Sequence, residues 1–407
     1  MALTVSALLN APPTAEEQAR MRQLGTEEIQ RLLLNRGSGD RDRLLLAQAE
    51  LRLHFQRKLP EFTAKPGLIF PARLALEQAS GESAAKFKAG LFHGKRFLDT
   101  GCGMGIDAWQ IGQHFESGLL LEQHSELAAI TAYNLQQLGM PHLEVKGGSK
   151  AEDVLPHLQQ NFDLVYSDPA RRDGKGGKVF RLRDCEPDIT SLLPGLLMLS
   201  PLVAIKTSPL LDIRQACQDL PGTHDVYVLG SGGECRELLF LVGRNANTEP
   251  VIHAVDTDSG RMLSATALQE QEAPVSCGEP QDFLFEPAPE VLKAGLFRTT
   301  ASRFGLRKLH PHSHLYTGQS DVPDFPGRRF KLLQVLKVNR HALAAYCPEG
   351  KANLSVRNFP QTVAELRRKL QLKEGGEQQV FATTLWNDQH ALLLCEKCRQ
   401  PQSTSFV

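Results

Sequence analysis

The chain has 407 residues, of which 41% are hydrophobic and 23% are charged, and its formal net charge is zero. This composition is typical of a globular protein with several domains, and it excludes polyanion binding through overall positive charge. No stretch of the sequence approaches the roughly 20 apolar residues of a membrane span. The eight cysteines are scattered, so we expect reduced thiols and a cytoplasmic protein.

Residues 1–93 are predicted to form an N-terminal helical domain. Thr14 and Glu17 have the spacing of a capping box, which marks the start of a helix. From Arg41 to Leu59, leucines recur at helical spacing between charged residues. We expect these helices to pack against the domain that follows.

Residues 94–245 alternate between predicted strands and helices, which is typical of a parallel sheet covered by helices on both faces. The predicted strands are Arg96–Thr100, Gly118–Glu122, Leu143–Lys146, Phe162–Ser167, Leu202–Lys206, Asp225–Leu229 and Glu237–Val242. The predicted helices are Ile106–His114, Ser125–Leu138, Ala151–Gln159 and Ile189–Leu199. The last two strands lie close together in the sequence with glycines between them, which predicts an antiparallel hairpin. We therefore expect an α/β fold whose seven-stranded, Rossmann-like sheet ends in that hairpin.

Two small α+β modules are predicted to follow, over residues 246–330 and 331–407. The first has a strand, turn and strand over Val251–Ala267, a polar stretch over Gln269–Pro280 and a helix over Val291–Phe304. The second has β-like runs, including Gln379–Thr384, and a helix over Thr362–Leu372.

Two groups of possible metal ligands lie in these modules. Cys395 and Cys398 form a C-x-x-C pair that fits zinc or redox chemistry, but no second pair has ligand spacing, which favours the end of a strand. His310, His312 and His314 alternate in a loop without nearby acids, which favours a polar loop over a metal site. We predict no metal site.

The segment Phe97–Ala108 predicts a strand, a tight turn and a helix start that together leave backbone open to a ligand. Gly101, Gly103 and Gly105 follow Asp99 at a spacing of two, and glycine is needed where φ is positive or where a side chain would block the ligand. Ile106 stands where the dinucleotide fingerprint G-x-G-x-x-G needs its third glycine. The pattern D-x-G-x-G-x-G instead resembles the first motif of class I S-adenosylmethionine (SAM) methyltransferases. A glycine-rich turn without a ligand is the alternative.

Further candidates follow the next two strands. Glu122 ends the second strand, where a carboxylate accepts two hydrogen bonds from ribose hydroxyls in such enzymes. Its neighbour Gln123 is a second candidate for the cofactor. Ser149 follows the third strand near the expected adenine edge, although it could equally be the N-cap of the next helix.

Asp168 and Pro169 end the fourth strand, at the edge of a parallel sheet where ligands bind. They occupy the place of the D-P-P motif of nucleobase methyltransferases, whose acceptors at a rigid turn position an exocyclic amine. Ala170 replaces the aromatic residue that normally stacks on the base, which places an exocyclic-amine substrate in doubt. Methylation of uracil C5 through a cysteine thiolate that adds to the base is excluded, because no cysteine lies at the end of the next strand, over 206–209.

Positive charge is concentrated in two places. The first is a glycine-rich loop over 171–183 with six basic residues against one acid, which suits a phosphate backbone. Its candidate RNA contacts are Arg172, Lys175, Lys178 and Arg181, while Arg171 is placed next to the reacting groups. The second is Val291–Lys373, with sixteen basic residues against four acids. A solvated surface is the alternative for both.

Several segments together resemble bacterial class I SAM-dependent methyltransferases with a ferredoxin-like insert and a C-terminal THUMP-like domain. The matching segments are 76–86, Asp99 to Asp107, 167–172, 206–213, 233–238, 291–297, 314–316, 323–328 and 352–360. The resemblance implies that Gln78, Ser80 and Asp107 join the glycine loop in binding SAM. It also implies an RNA partner, tRNA or rRNA, by analogy with THUMP domains.

The leading hypothesis is therefore a SAM-dependent RNA methyltransferase in which Asp168 and Pro169 position the acceptor. A methyltransferase of protein or small molecules is the second interpretation. An RNA-binding protein with a vestigial SAM pocket is the third.

Overall fold

The computed structural model describes residues 5–34, 39–159, 161–171, 181–244 and 249–398. Arg172, Lys175 and Lys178 therefore lie outside the described residues, as does the side chain of Arg171. The chain divides into two compact units, one of Met1–Val226 with Glu237–Thr248 and one of Tyr227–Arg236 with Glu249–Val407. The boundaries between the four predicted domains, near residues 93, 245 and 330, remain predictions. None of the described helices is both long and apolar enough to cross a membrane.

The first unit begins with short helices. They are α1 (Ala7–Asn10), α2 (Ala15–Gln23), α3 (Thr26–Leu33), α4 (Asp40–Phe55), α5 (Pro60–Ala64), α6 (Arg73–Gln78) and α7 (Glu82–Ala89). The predicted capping box is present, with the Thr14 side chain accepting a hydrogen bond from the Glu17 backbone. Leu8 and Leu45 pack with Ile130 of the following α/β region in one apolar cluster. The N-terminal helices thus pack as expected.

Strands and helices then alternate, as predicted. The strands are β1 (Gly94–Asp99), β2 (Phe115–Glu122), β3 (Leu143–Gly147), β4 (Leu164–Ser167), β5 (Ala170–Arg171), β6 (Cys185–Glu186), β7 (Leu202–Thr207), β8 (Thr223–Ser231) and β9 (Glu234–Gly243). The helices are α8 (Ile106–Gly112), α9 (Ser125–Gln137), α10 (Ala151–Val154), α11 (Ile189–Leu199) and α12 (Ile213–Asp219). Leu155–His157 and Leu182–Asp184 are 3₁₀ turns.

Seven strands lie in the order β8-β9-β7-β4-β1-β2-β3. The pairs from β7 through β4, β1 and β2 to β3 are parallel, and β9 pairs antiparallel with β7. The seven predicted strands and their antiparallel end are therefore present, but the sheet has nine strands, because Val251–Asp256 and Arg261–Thr266 continue it beyond β8. Because the parallel strands share one direction, their carboxyl ends meet at one edge.

The second unit contains a seven-stranded sheet of its own. After the antiparallel pair β10 (Val251–Asp256) and β11 (Arg261–Thr266) come β12 (Phe283–Pro287), β13 (Arg307–Lys308), β14 (Tyr316–Gly318), β15 (Gly327–Leu336), β16 (Asn353–Arg357), β17 (Gln379–Thr384) and β18 (His390–Lys397). The sheet order is β13-β14-β12-β15-β18-β17-β16. The helices are α13 (Ala267–Glu272), α14 (Pro289–Ala294), α15 (Phe297–Phe304), α16 (Arg340–Ala344) and α17 (Val363–Leu370). One sheet thus runs through both predicted α+β modules.

Three predicted elements differ from the structure. The helix expected over Ala151–Gln159 is the single turn α10 followed by a 3₁₀ turn that contains a proline. The helix expected over Val291–Phe304 is two helices, since Gly295 adopts φ 73° and ends α14. The polar stretch 269–280 contains most of α13, whose N-terminus has a capping box at Thr266.

The possible metal ligands have other partners. Cys395 is buried in β18 and Cys398 directly follows that strand. Nε2 of His310 lies 3.0 Å from Asp388, and the ring of His314 stacks on Phe297. Among the described residues, no group of three or more His, Cys, Asp or Glu side chains could hold a metal ion.

Candidate active site

The predicted site residues of the α/β region meet at the carboxyl edge of the parallel sheet. Asp99 ends β1, Glu122 ends β2, and Asp168 directly follows β4. The register of β1 places Asp99 opposite Tyr166 of β4. The backbone N–H of Thr100 donates to the Tyr166 carbonyl, so the loops after β1 and β4 leave the sheet side by side.

The glycine loop is held in a backbone conformation that side chains disfavour. Gly103 and Gly105 adopt φ of 54° and 81°, in the left-handed region that glycine tolerates. A Cβ atom at Gly105 would come within 2.8 Å of Thr131 Cγ2. A Cβ atom at Gly101 would come no nearer than 3.8 Å, with the Asp168 carbonyl as its neighbour. The loop thus lies close to the Asp168 turn.

Glu122 joins the glycine loop to β2. Its carboxylate accepts hydrogen bonds from the backbone N–H of Gly103 at 3.0 Å and of His124 at 2.8 Å. The side chain is buried. Since each carboxylate oxygen has two lone pairs, both oxygens can still accept a bond from a ligand hydroxyl.

Asp99 is a buried carboxyl with acidic neighbours. It accepts a hydrogen bond from the Gly101 backbone at 3.0 Å and is 1% exposed. Burial is the main cause that raises its pKa to about 8; the hydrogen bond from Gly101 and the charge of Lys206 oppose this rise, while Asp107 and Asp168 contribute to it. A positive charge placed beside Asp99 would favour its ionised form.

Beneath the site lies a cluster of buried ionisable and hydroxyl side chains, here called the ion cluster. Its members are Ser80, Lys88, Asp107, Tyr166, Lys206 and Glu237. The Lys88 ammonium lies 2.9 Å from Asp107 Oδ1 and 2.5 Å from Glu237 Oε1, and it also donates to Ser80. Tyr166 donates to Asp107 Oδ2 at 2.9 Å. The cluster joins α7, α8, β4, β7 and β9.

Charge pairing decides the protonation of this cluster. Burial raises the pKa of Asp107, but Lys88 and Lys206 outweigh it and hold that pKa well below its usual range. Burial likewise opposes the charge on Lys206, but Asp168, Asp107 and Glu237 raise its pKa above the ordinary value. Asp107 and Lys206 are therefore both ionised near neutral pH.

Asp168 stands at the outer end of the ion cluster. Its Oδ2 lies 2.6 Å from the Lys206 ammonium, and its side chain is 35% exposed. Pro169, the next residue, is buried and fixes the backbone of the turn. The turn thus presents one anchored carboxylate toward the space above the sheet edge.

The remaining predicted residues lie around this centre. Gln78 ends α6, and Gln78, Gln123, Ser149 and Arg181 are exposed. The alternative role of Ser149 as a helix N-cap is wrong, because Lys150 occupies that position before α10. Ala170 and Arg171 form β5, which pairs antiparallel with β6, so the strands on either side of the basic loop are neighbours.

Sequence reasoning missed four members of the ion cluster, namely Lys88, Tyr166, Lys206 and Glu237. The sequence does contain an indication for Lys206, because this lysine is a charged residue in an apolar strand, one residue before the end of β7. Lys88 had none, because its partners lie up to 149 residues away in the chain.

Comparison with known proteins identifies related domains and methyltransferases. Family models match residues 283–326 as a ferredoxin-like domain and residues 327–397 as THUMP domain-like. The chain is 26% identical over 345 residues to an uncharacterized S-adenosylmethionine-dependent methyltransferase of Mycobacterium tuberculosis, found in two strains, covering 82% of this chain and 90% of the relative. A crystal structure from Porphyromonas gingivalis W83, provisionally named a methyltransferase, matches with a TM-score of 0.83 and 29% identity, covering 98% of this chain and 100% of that one.

The predicted family, fold class, enzyme class and cofactor are confirmed by these matches. The seven predicted strands and the two C-terminal domains occur in the order that the resemblance implied. The chain is therefore a SAM-dependent methyltransferase whose C-terminal part matches a ferredoxin-like domain and a THUMP-like domain.

Proposed function

We propose that the protein transfers the methyl group of SAM to a base of RNA, tRNA or rRNA, with Asp168 and Pro169 positioning the acceptor. The observation that carries the proposal is the position of Asp168. Its backbone carbonyl lies beside Gly101, and its partly exposed carboxylate pairs with Lys206 of the ion cluster. A cofactor on the glycine loop and an acceptor at the turn would thus be neighbours.

The glycine loop and its carboxylates fit SAM. Gly101 leaves room for a ligand against the backbone, Glu122 retains lone pairs for the ribose hydroxyls, and Asp99 lacks a close cationic partner among the described residues. Bound SAM would supply an electrophilic methyl group on a positively charged sulfonium. Its positive charges would favour the ionised form of Asp99.

On the acceptor side, Asp168 would accept a hydrogen bond from an N–H group of the base. A fixed carboxylate orients the nucleophile and offsets the positive charge that develops as the methyl group transfers. Ala170 provides no ring for stacking, so the base would need other contacts. We assign these to Arg171 and to the basic loop, including Arg172, Lys175, Lys178 and Arg181.

An RNA substrate is supported by charge and by the C-terminal domains. Residues 291–373 carry sixteen basic side chains against four acids. The THUMP domain-like match covers the part of that stretch from residue 327 onward. Arg368 and Lys369 on α17 are exposed. We also propose the four-part organisation with boundaries near residues 93, 245 and 330.

The direct test is Asp168→Ala, assayed with methyl-tritiated SAM and bulk RNA from cells that lack the gene. We expect transfer to fall at least about 100-fold, because the acceptor loses its orienting group. The dissociation constant for SAM should stay close to that of the wild type. The matched control is Asp153→Ala, since Asp153 is exposed on α10 at the same edge. Full turnover by Asp168→Ala would refute the proposal.

Binding measurements separate the alternatives. SAM affinity together with salt-dependent affinity for RNA supports the proposal. SAM affinity without RNA affinity would instead support a protein or small-molecule acceptor. RNA affinity without SAM affinity would support a vestigial pocket.

A further inference from the structure

Lys206 connects the proposed acceptor group to the interior of the protein. We propose that Lys206 is a positioning residue, which fixes the Asp168 carboxylate so that one oxygen faces the acceptor. This inference rests on the proposed function, because it assumes that Asp168 receives the acceptor. Lys206 itself would not touch the substrate.

The geometry gives Lys206 a fixed direction. Its ammonium lies 2.6 Å from Asp168 Oδ2, 3.0 Å from Ser80 Oγ and 3.4 Å from Asp107 Oδ2. An ammonium has three N–H donors, so these three partners account for all of them. The side chain is 7% exposed. Lys206 therefore has little freedom to release or swing the Asp168 carboxylate.

Each partner of Lys206 is itself anchored. Ser80 Oγ donates to Asp107 Oδ2 at 2.8 Å, and it also accepts a bond from Lys88. Asp107 lies in the first turn of α8, directly after the glycine loop. Lys206 thus ties the carboxylate after β4 to the helix that begins at the predicted cofactor loop.

This attachment leaves Oδ1 of Asp168 as the acceptor for a substrate. In the part of the chain that the structure describes, Oδ1 has no hydrogen-bond partner, while Oδ2 is held by Lys206. A carboxylate that is fixed through one oxygen presents the other in a defined direction, which is the requirement for orienting a nucleophile.

Lys206 also supplies a positive charge that favours the ionised form of Asp168. The ionisable groups around Asp168 are Lys206 from β7, Lys88 from α7, Asp107 from α8, Asp99 from β1 and Tyr166 from β4. Burial holds the pKa of Asp168 above its ordinary value, and Lys206 is the main group that opposes this rise. Without Lys206, the nearby carboxylates would favour the protonated acid, which accepts hydrogen bonds poorly.

The experiment compares Lys206→Met, which removes the ammonium, with Lys206→Arg, which keeps a positive charge. Methyl transfer is measured against pH with methyl-tritiated SAM and bulk RNA from cells that lack the gene. For Lys206→Met we expect kcat to fall about 100-fold and the acidic limb of the pH profile to move up by about one unit. SAM affinity should change little, and Lys206→Arg should keep the wild-type acidic limb. The control is Lys95→Met, because Lys95 is an exposed lysine of β1.

A double-mutant cycle with Asp168→Asn tests whether Lys206 acts through Asp168. If it does, adding Lys206→Met to Asp168→Asn lowers the rate no further, since the interaction is already lost. Additive losses would mean that Lys206 is merely structural and would overturn the inference, as would an unmoved pH profile. If both Lys206 variants lost SAM binding and also lost thermal stability, Lys206 would likewise have a merely structural role.

The two proposals fail in different ways. Wild-type turnover by Asp168→Asn would refute the proposed role of Asp168 and, with it, the basis of the inference. An inactive Asp168→Asn beside a fully active Lys206→Met would refute only the role of Lys206.

Discussion

The backbone N–H of Gly103 donates a hydrogen bond of 3.0 Å to Oε2 of Glu122, so the glycine loop and the end of β2 are joined before any ligand binds. Oε1 of the same carboxylate accepts a bond from His124 at the start of α9. Glu122 therefore sets the position of the loop as well as offering oxygens to the ribose. The two roles cannot be separated by removing the side chain.

We expect Glu122→Gln to weaken SAM binding by about tenfold or more, because an amide cannot replace both charge-assisted acceptors. Isothermal titration calorimetry with SAM measures this change. The control is Glu144→Gln on the neighbouring strand, where the side chain is 70% exposed. Equal affinities for the wild type and Glu122→Gln would contradict the assignment of Glu122 to the ribose.

Gly105→Ala should lower the free energy of unfolding by roughly 1–3 kcal/mol, the cost of a left-handed residue outside glycine. The new Cβ would also press on Thr131. Urea denaturation measures the change. Gly195→Ala is the matched control, since Gly195 lies exposed inside α11 with nothing within 4 Å of the added Cβ. There the substitution should stabilise the protein, by about 0.4–1 kcal/mol.

SAM affinity should rise with pH up to the pKa of Asp99, about 8. Burial raises that pKa, so below it the carboxyl is protonated, and a cationic ligand must displace the proton to gain the charged partner. The same shift makes Asp99 destabilise the unliganded fold as pH rises from its unfolded pKa toward 8. Calorimetry in buffers of different ionisation enthalpy counts the protons released near pH 7.

The control for this pH dependence is Asp99→Asn. The amide oxygen still accepts the hydrogen bond from Gly101 but cannot titrate. We expect weaker SAM binding, with less proton release than in the wild type. Identical proton release in both proteins would mean that another group titrates.

In the second unit, Glu286→Gln should destabilise the central strands by roughly 1–3 kcal/mol, because a buried acceptor of charged bonds is lost. Glu286 is buried on β12 and pairs with Arg328 and Arg357. Its Oε1 lies 2.5 Å from Nη2 of Arg357. Hydrogen exchange of the β12 amides measures the effect. Glu349→Gln is the control, since that side chain is 77% exposed and its loss should change little.

Replacing Arg368 and Lys369 by glutamine should weaken RNA binding and make it less dependent on salt. Two lost phosphate contacts reduce the slope of log K against log salt by about 1.5–2. Filter binding from 50 to 300 mM salt, roughly the range in which such slopes are resolved, gives the measurement. The control pair is Arg20→Gln with Arg31→Gln, which are 60% and 77% exposed on the N-terminal helices. An unchanged slope would place the RNA elsewhere.

The parallel sheet was predictable because its strands are short apolar runs bounded by polar residues. In the sheet of the second unit, the strand Gln379–Thr384 matches its prediction at both ends. Errors arose where one residue interrupts a favourable pattern, as Gly295 does between α14 and α15. The two-residue strand β13 escaped prediction because it is too short for any periodicity.

The site was predictable as far as it follows strand ends. The common position of Asp99, Glu122 and Asp168 was predictable because the carboxyl ends of parallel strands share an edge. The ion cluster was not, because its pairs form only through the tertiary fold. Nothing near Tyr166 in the chain indicates that its hydroxyl will meet Asp107, 59 residues earlier.

The long span of the ion cluster bears on how the protein is made. Ser80 and Glu237, which lie 3.1 Å apart in the finished fold, are separated by 157 residues. At ribosomal speeds of about 5–20 residues per second, roughly 8–30 s pass between their synthesis. During that interval Lys88 has only one of its two carboxylate partners, Asp107, and the ion cluster is incomplete. A nascent chain that stalls before β9 would therefore hold Lys88 through Asp107 alone and could not complete the ion cluster.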